Sequence, residues 1–385
     1  MEDEIYKINH IAFNKDKTEF CFCYNDGFKV INIENFTEKN CSNNSETRLK
    51  SVSLSQVIPD NIIIFVGSKF NKDYPSNKIV FFDIVNKKEI LSKTLEGDIT
   101  NIKYVDNFLF ICLDNDLKIF YYKNNELNLK DEINLSEEYK NLFEVWITKE
   151  QNNIPDKVFI SYPFKKDLII SFYTSDDWDL GNKNNITSPV KKIQNMFYIK
   201  KLNQLFITDE NAIYIYSYDV DNGQVKFCLR RGSNPGFITS MTLLCDKFLA
   251  INNLNKTIHI FDLDIKNNAF SFSNIVYSMI YGIQEIYPCL RIYFKDLIKE
   301  KEGEFNKNDF NSKGAILVSE DDGKELNVIA YNGYAYKINI NLKDYKYELV
   351  LKKRYAEAKN LLLKDDKFKN INLKESTNQF SEDNK

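Results

Sequence analysis

The sequence predicts an all-β protein, a seven-bladed β-propeller forming a single domain. Three observations lead there: short strands rich in Tyr, Phe, Ile and Val, their grouping into pairs, and the recurrence of those pairs along the chain. Each unit reads as an apolar strand, a polar turn, a second apolar strand and a polar exit, as in "FCFCYNDGFKVINI", "LFICLDNDLKIFYY", "LFITDENAIYIYSYD", "FLAINNLNKTIHIFDLD" and "NVIAYNGYAYKINI". Two more units fit at 62–90 and 145–174. Seven units over about 350 residues match the spacing of propeller blades. One blade cannot bury both faces of its sheet, so the blades must close radially, which also shields strand edges. A two-sheet sandwich does not account for so regular a paired-strand unit.

In order, the strands expected are 19–24 and 28–33, 61–66 and 78–84, 108–113 and 117–122, 157–162 and 168–173. They continue with 204–208 and 212–218, 248–252 and 257–263, 326–331 and 334–340. Asn, Asp, Lys and Gly punctuate them, as turn chemistry requires. The propeller is expected to cover 1–352, with a long loop at about 264–290. Beyond it, "KKRYAEAKNLLLKDDKFKN" is read as opening a short helix, and the remainder of 353–385 as a polar, disordered tail.

Composition narrows function. Of 385 residues, 43% are apolar and 28% charged, enough for a large core. The net charge of −3 exerts no whole-body pull on nucleic acid or anionic lipid, so any anion site must be a local cluster. The seven cysteines are scattered without a C-x-x-C pair, as expected of reduced core thiols in a cytoplasmic protein. The acidic N-terminus has no apolar h-region, and no apolar stretch reaches about 18 residues, so neither a signal peptide nor a spanning helix is expected. Only His10 and His259 supply imidazole, and no phosphate loop or metal motif is present. No enzyme activity, cofactor or metal is therefore expected.

The residues that stand out are arginines. There are five, Arg48, Arg230, Arg231, Arg291 and Arg354, and two are adjacent in Leu229-Arg230-Arg231-Gly232. On an extended segment adjacent side chains point to opposite sides, so the pair can serve two grooves beside one blade boundary. The planar guanidinium fork binds phosphate oxygens bidentately. A solvated dipeptide making surface ion pairs is the plainer alternative.

Leu229-Arg230-Arg231-Gly232 is followed by a strand and then by Thr257-Ile258-His259-Ile260-Phe261. This arrangement resembles the PROPPIN family, WD-repeat propellers that bind phosphoinositides in autophagy. "FNKDKTEFCFCYNDGFKVINI", "NKIVFFDIVNKKEI", Tyr162-Pro163 and "YNGYAYKINI" resemble the first, second, fourth and seventh blades. The resemblance implies two headgroup sites. Arg230 would serve the first; Arg231, with Ser240, Thr257 and His259, would serve the second. It departs from the pattern in two ways. Asn252-Asn253 replaces a serine pair, and the first site lacks its histidine and offers Tyr216 in place of an arginine. The expectation is therefore that the second site dominates binding, or that the first uses substitute residues that the sequence does not identify.

The resemblance also implies that the loop after Leu263 inserts into the bilayer. Ile275, Val276, Met279, Ile280, Ile283 and Tyr287 recur at helical steps, and Tyr277, Tyr281 and Tyr287 suit the interface. Packing of that stripe on the propeller is the alternative. The expected function is a peripheral adaptor on endosomal, vacuolar or autophagic membranes. It would read phosphatidylinositol 3-phosphate or 3,5-bisphosphate and recruit autophagy proteins, including a lipid-transfer protein at the second and third blades. No nucleic-acid partner is expected, and the chain is expected to be monomeric. The competing expectation is a WD-repeat interaction scaffold without lipid binding.

Overall fold

In the computed structural model the residues described are 8–24, 27–41, 54–59, 61–69, 71–114, 116–148, 157–165, 167–174, 184–187, 190, 192–254, 257–264, 284–298, 314–319 and 323–355. Blade 1 is β1 (His10–Phe13), β2 (Glu19–Tyr24), β3 (Gly27–Asn32) and β4 (Glu38–Cys41). Blade 2 is β5 (Leu54–Ile58), β6 (Ile62–Val66), β7 (Lys78–Asp83) and β8 (Lys88–Thr94). Blade 3 is β9 (Ile99–Val105), β10 (Phe108–Leu113), β11 (Asp116–Lys123) and β12 (Glu126–Asn134). Blade 4 is β13 (Glu144–Thr148), β14 (Lys157–Phe164), β15 (Asp167–Thr174) and β16 (Asn184–Thr187). Blade 5 is β17 (Ile193–Ile199), β18 (Gln204–Asp209), β19 (Tyr214–Asp219) and β20 (Val225–Arg230). Blade 6 opens with β21 (Ile238–Leu244), β22 (Phe248–Asn253) and β23 (Thr257–Asp262).

After blade 6's third strand the chain makes a detour. It returns as β24 (Gln284–Ile286), which pairs parallel to β20 as a fifth strand of blade 5. It then becomes β25 (Pro288–Tyr293), the antiparallel outer strand of blade 6, and turns into the short helix α1 (Phe294–Ile298). Blade 7 is β26 (Ala315–Val318), β27 (Glu325–Ala330), β28 (Tyr334–Asn341) and β29 (Lys346–Arg354). The seven-bladed expectation is met.

Strand periodicity explains why the ring closes. Along β10, Phe108, Phe110 and Cys112 enter the core shared with blade 4, while Leu109, Ile111 and Leu113 enter the core shared with blade 2. The same division recurs at each junction, giving seven interblade cores. Both faces are buried, so these strands read as continuous apolar runs. Every strand expected from the sequence is the second or third strand of its blade. The outer strands escaped notice because they are more polar; β12, for example, is largely exposed.

Among the described residues, each terminal blade is built from its own strands. The first and last blades are joined by one apolar core that includes Phe20, Phe22, Val318, Ile329 and Tyr355. Tyr355 lies edge-on to Phe20 and Phe22 at 5.2 and 5.0 Å, and its hydroxyl donates to the Ala330 carbonyl at 2.7 Å. Its amide donates at 2.9 Å to Gly333, whose φ of +87° suits a glycine turn. The helix expected from Lys352 onward is corrected over its first turn. Lys352, Lys353 and Arg354 extend β29, because strand pairing with β28 overrides helix propensity. No helix among the described residues is long and apolar enough to cross a membrane.

Candidate anion site at the junction of blades 5 and 6

Arg230 ends β20 directly opposite Tyr214 on β19, and Arg231 follows with its amide bonded to the Ile213 carbonyl at 2.9 Å. The two side chains enter different surroundings, as an extended backbone dictates.

Arg231 is 4% exposed. Its Nε donates to the Ala212 carbonyl at 2.8 Å and its Nη2 to the Asn234 carbonyl, while Nη1 makes no hydrogen bond among the described residues. Ala212 reaches it from a left-handed turn at φ +49°. No carboxylate pairs with Arg231 among the described residues. Burial lowers its pKa, the Arg291 guanidinium lowers it further, and Asp209 opposes them as the smallest influence.

The facing wall comes from blade 6. Asn253 stands opposite Thr257, and His259 opposite Arg291, so cross-strand pairing sets these side chains on one face. Ile251, directly opposite His259, belongs to the core shared with blade 5, which orients that face toward Arg231. Asn253 Nδ2 donates to Thr257 Oγ1 at 2.9 Å, and Thr257 Oγ1 lies 3.1 Å from His259 Nε2. His259 Nδ1 is buried without a partner. Burial first, then Arg231 and Arg291, pushes the His259 pKa down to about 3. Arg291 itself is exposed and makes no ion pair among the described residues. Space beside the motif is open: a Cβ added at Gly232 meets nothing within 4 Å.

Arg230 is 38% exposed and lies 5.7 Å from the ring centroids of both Tyr214 and Tyr287. Its Nη1 donates to the Tyr287 hydroxyl at 3.2 Å and lies 3.8 Å from Glu285 Oε2. The Tyr287 hydroxyl in turn donates to Glu285 Oε2 at 2.7 Å.

Arg231, Thr257 and His259 are thus brought together, and Arg230 is set apart from them. Two expectations are corrected. Ser240 faces blade 7: its hydroxyl donates to the Ala315 carbonyl at 3.3 Å and accepts the Leu317 amide at 3.0 Å. Its register partner Asn252 likewise donates to Ala315 at 2.8 Å, so period-two geometry turns both away from Arg231. Tyr287 packs on Arg230, and the residues immediately before it, 284–286, are strand rather than helix. Ile275, Val276, Tyr277, Met279, Ile280, Tyr281 and Ile283 lie outside the described residues. Sequence reasoning passed over Arg291, Tyr214 and Glu285. Arg291 was visible as one of five arginines, but an insert of uncertain path hid its register against His259.

The His259 environment makes stability depend on pH. The unfolded imidazole takes up a proton below about 6.5 and the folded one only near about 3, so stability falls as pH drops through that window. Urea titrations at several pH values should show His259→Asn with a shallower decline, by up to about 1.4 kcal/mol per pH unit.

The fold and site define a class: a seven-bladed propeller with a buried guanidinium at one blade junction that meets no carboxylate among the described residues. No family model matches the chain. It is similar to SVP1-like protein 2 of Pichia angusta, at 23% identity over 260 residues, 66% of this chain and 69% of that protein. Kluyveromyces lactis Hsv2 superposes with a TM-score of 0.68 at 15% identity, covering 91% of this chain and 99% of that one. Hsv2 of Kluyveromyces marxianus gives 0.65 at 11% identity, with 91% and 99% covered. KlAtg21, in complex with the coiled-coil of AgAtg16, gives 0.62 at 16% identity, with 90% and 99% covered. The resemblance to the PROPPIN family is met at the level of the fold: these neighbours are PROPPIN-type propellers over nearly the whole ring.

Proposed function

We propose that this chain is a peripheral membrane adaptor that binds a phosphoinositide headgroup at the Arg231 pocket, with phosphatidylinositol 3-phosphate or 3,5-bisphosphate as its ligand. The observation that carries the reading is the buried Arg231 guanidinium, without a carboxylate partner among the described residues and pressed by a second guanidinium, Arg291. An unpaired buried charge costs several kcal/mol, and two neighbouring cations raise that cost. A phosphate oxygen bonded to Nη1 supplies the missing counter-charge as a charge-assisted pair. Thr257 and His259 add neutral donors on the facing wall, and Arg291 holds the outer side of the phosphate. His259 is uncharged in the empty pocket; an arriving anion offsets the two arginines and favours its protonation, so binding should strengthen on acidification.

The adaptor role rests on likeness. KlAtg21 is found in complex with a coiled-coil of another protein, and a recruiting role on autophagic membranes fits that precedent. Headgroup capture and bilayer contact by the part of the loop that precedes β24 would multiply as two weak contacts. A pure protein-interaction scaffold remains the second reading, favoured by Arg230 being engaged within the chain.

Flotation with vesicles containing phosphatidylinositol 3-phosphate separates the two. Arg230→Thr/Arg231→Thr should lose at least about tenfold in vesicle-bound protein. Equal flotation of variant and wild type rejects lipid reading.

A further inference from the structure

Glu285 presents a carboxylate oxygen to Arg230 at 3.8 Å from the neighbouring strand β24. Its carboxylate is buried, 2% exposed, on a strand lying parallel to β20 beside Phe227, Cys228 and Leu229. One oxygen accepts from Tyr287 and lies 3.8 Å from the Arg230 guanidinium; the other, Oε1, is buried without a partner. Tyr214 and Tyr287 flank the guanidinium and confine it toward this carboxylate. Arg230 is therefore already answered by an anion within the chain, whereas Arg231 is not.

We propose that Glu285 is the residue that closes the Arg230 pocket to phosphate and makes this chain a reader of one headgroup rather than two. The inference rests on the phosphate-binding reading of the Arg231 pocket and adds to it the selectivity between the two arginines. A phosphate approaching Arg230 meets a buried carboxylate already in place, and like charges in one desolvated site exclude each other. The selectivity is local, because the segment carrying Glu285 continues into Arg291 of the other pocket and is pinned to both blades. Displacing Glu285 would require peeling β24 from β20. Neutralising it requires no such movement.

The test is calorimetric titration of the full chain with inositol 1,3-bisphosphate as the headgroup probe, and separately with inorganic phosphate. Wild type should bind about one headgroup per chain. Glu285→Gln, matched in shape to the buried carboxylate, should bind about two, the new site at least roughly tenfold tighter than any residual wild-type binding there. Tyr287→Phe, which removes the hydroxyl bridging Glu285 and Arg230, should open the same site more weakly. Adding Arg230→Thr to Glu285→Gln should restore a single site. A response to inorganic phosphate equal to that to the headgroup would identify a free-phosphate site and overturn the headgroup selectivity proposed. Unchanged stoichiometry in Glu285→Gln, with wild type still binding one headgroup, overturns the role of Glu285 while leaving the Arg231 reading intact. Two sites in wild type overturn it as well, and no binding in any variant overturns both.

Discussion

Reversing the charge of Arg291, as Arg291→Glu, should weaken binding to phosphatidylinositol 3-phosphate vesicles by roughly a hundredfold or more. The arginine sits opposite His259 on the wall facing Arg231, close enough to depress the pKa of both groups. A carboxylate there replaces attraction for the phosphate by repulsion and also neutralises part of the field that recruits it. Because Arg291 is exposed and makes no ion pair among the described residues, its replacement leaves the fold unstrained. Arg231 is a poorer probe for this purpose, since its bonds to the Ala212 and Asn234 carbonyls make it part of the blade junction too. The check is vesicle co-sedimentation over a salt series, beside a urea midpoint for each protein. Wild-type affinity in Arg291→Glu would remove this residue from the pocket. In the same variant the His259 pKa should rise, because one of the two cations depressing it is gone.

Tyr355→Ala should destabilise the propeller by about 4 kcal/mol. Among the described residues no strand is shared between the first and last blades, and the apolar core between them joins the two. Tyr355 is 5% exposed within that core, edge-on to two phenylalanines and bonded through its hydroxyl to the Ala330 carbonyl. Truncation leaves a cavity, the dominant cost, and removes the hydroxyl bond to the Ala330 carbonyl, which keeps the Gly333 amide at 3.1 Å as its donor. The exposed Val350 on β29, the strand that leads into Tyr355, is the control: Val350→Ala should change stability by less than about 0.5 kcal/mol. Equilibrium urea unfolding measures both. A Tyr355→Ala cost similar to the control would mean that the ring is held shut elsewhere.

Legibility followed burial. The central pair of strands in each blade was readable because both faces are buried and the apolar run is unbroken, as in β10. Outer strands such as β12 lie against solvent and carry charges that merge with the loops around them. The arginine pair was conspicuous by its rarity, and Thr257 and His259 by their two-residue step on one strand face. Ser240 was assigned to the wrong wall. The register irregularity between Ile238 and Ser240 cannot be read from a chain without its partner strand.

By itself, then, the sequence determined the number of blades, the apolar faces that hold them together and the place of the two guanidiniums, because these follow from local periodicity and from residue type. Tertiary structure alone decided which charges meet. Glu285 and Arg291 lie far along the chain from the arginine pair, yet one strand segment delivers the first to Arg230 and the second to the wall facing Arg231. Coulombic interactions depend on distance in space and on burial, and neither is written into spacing along the chain.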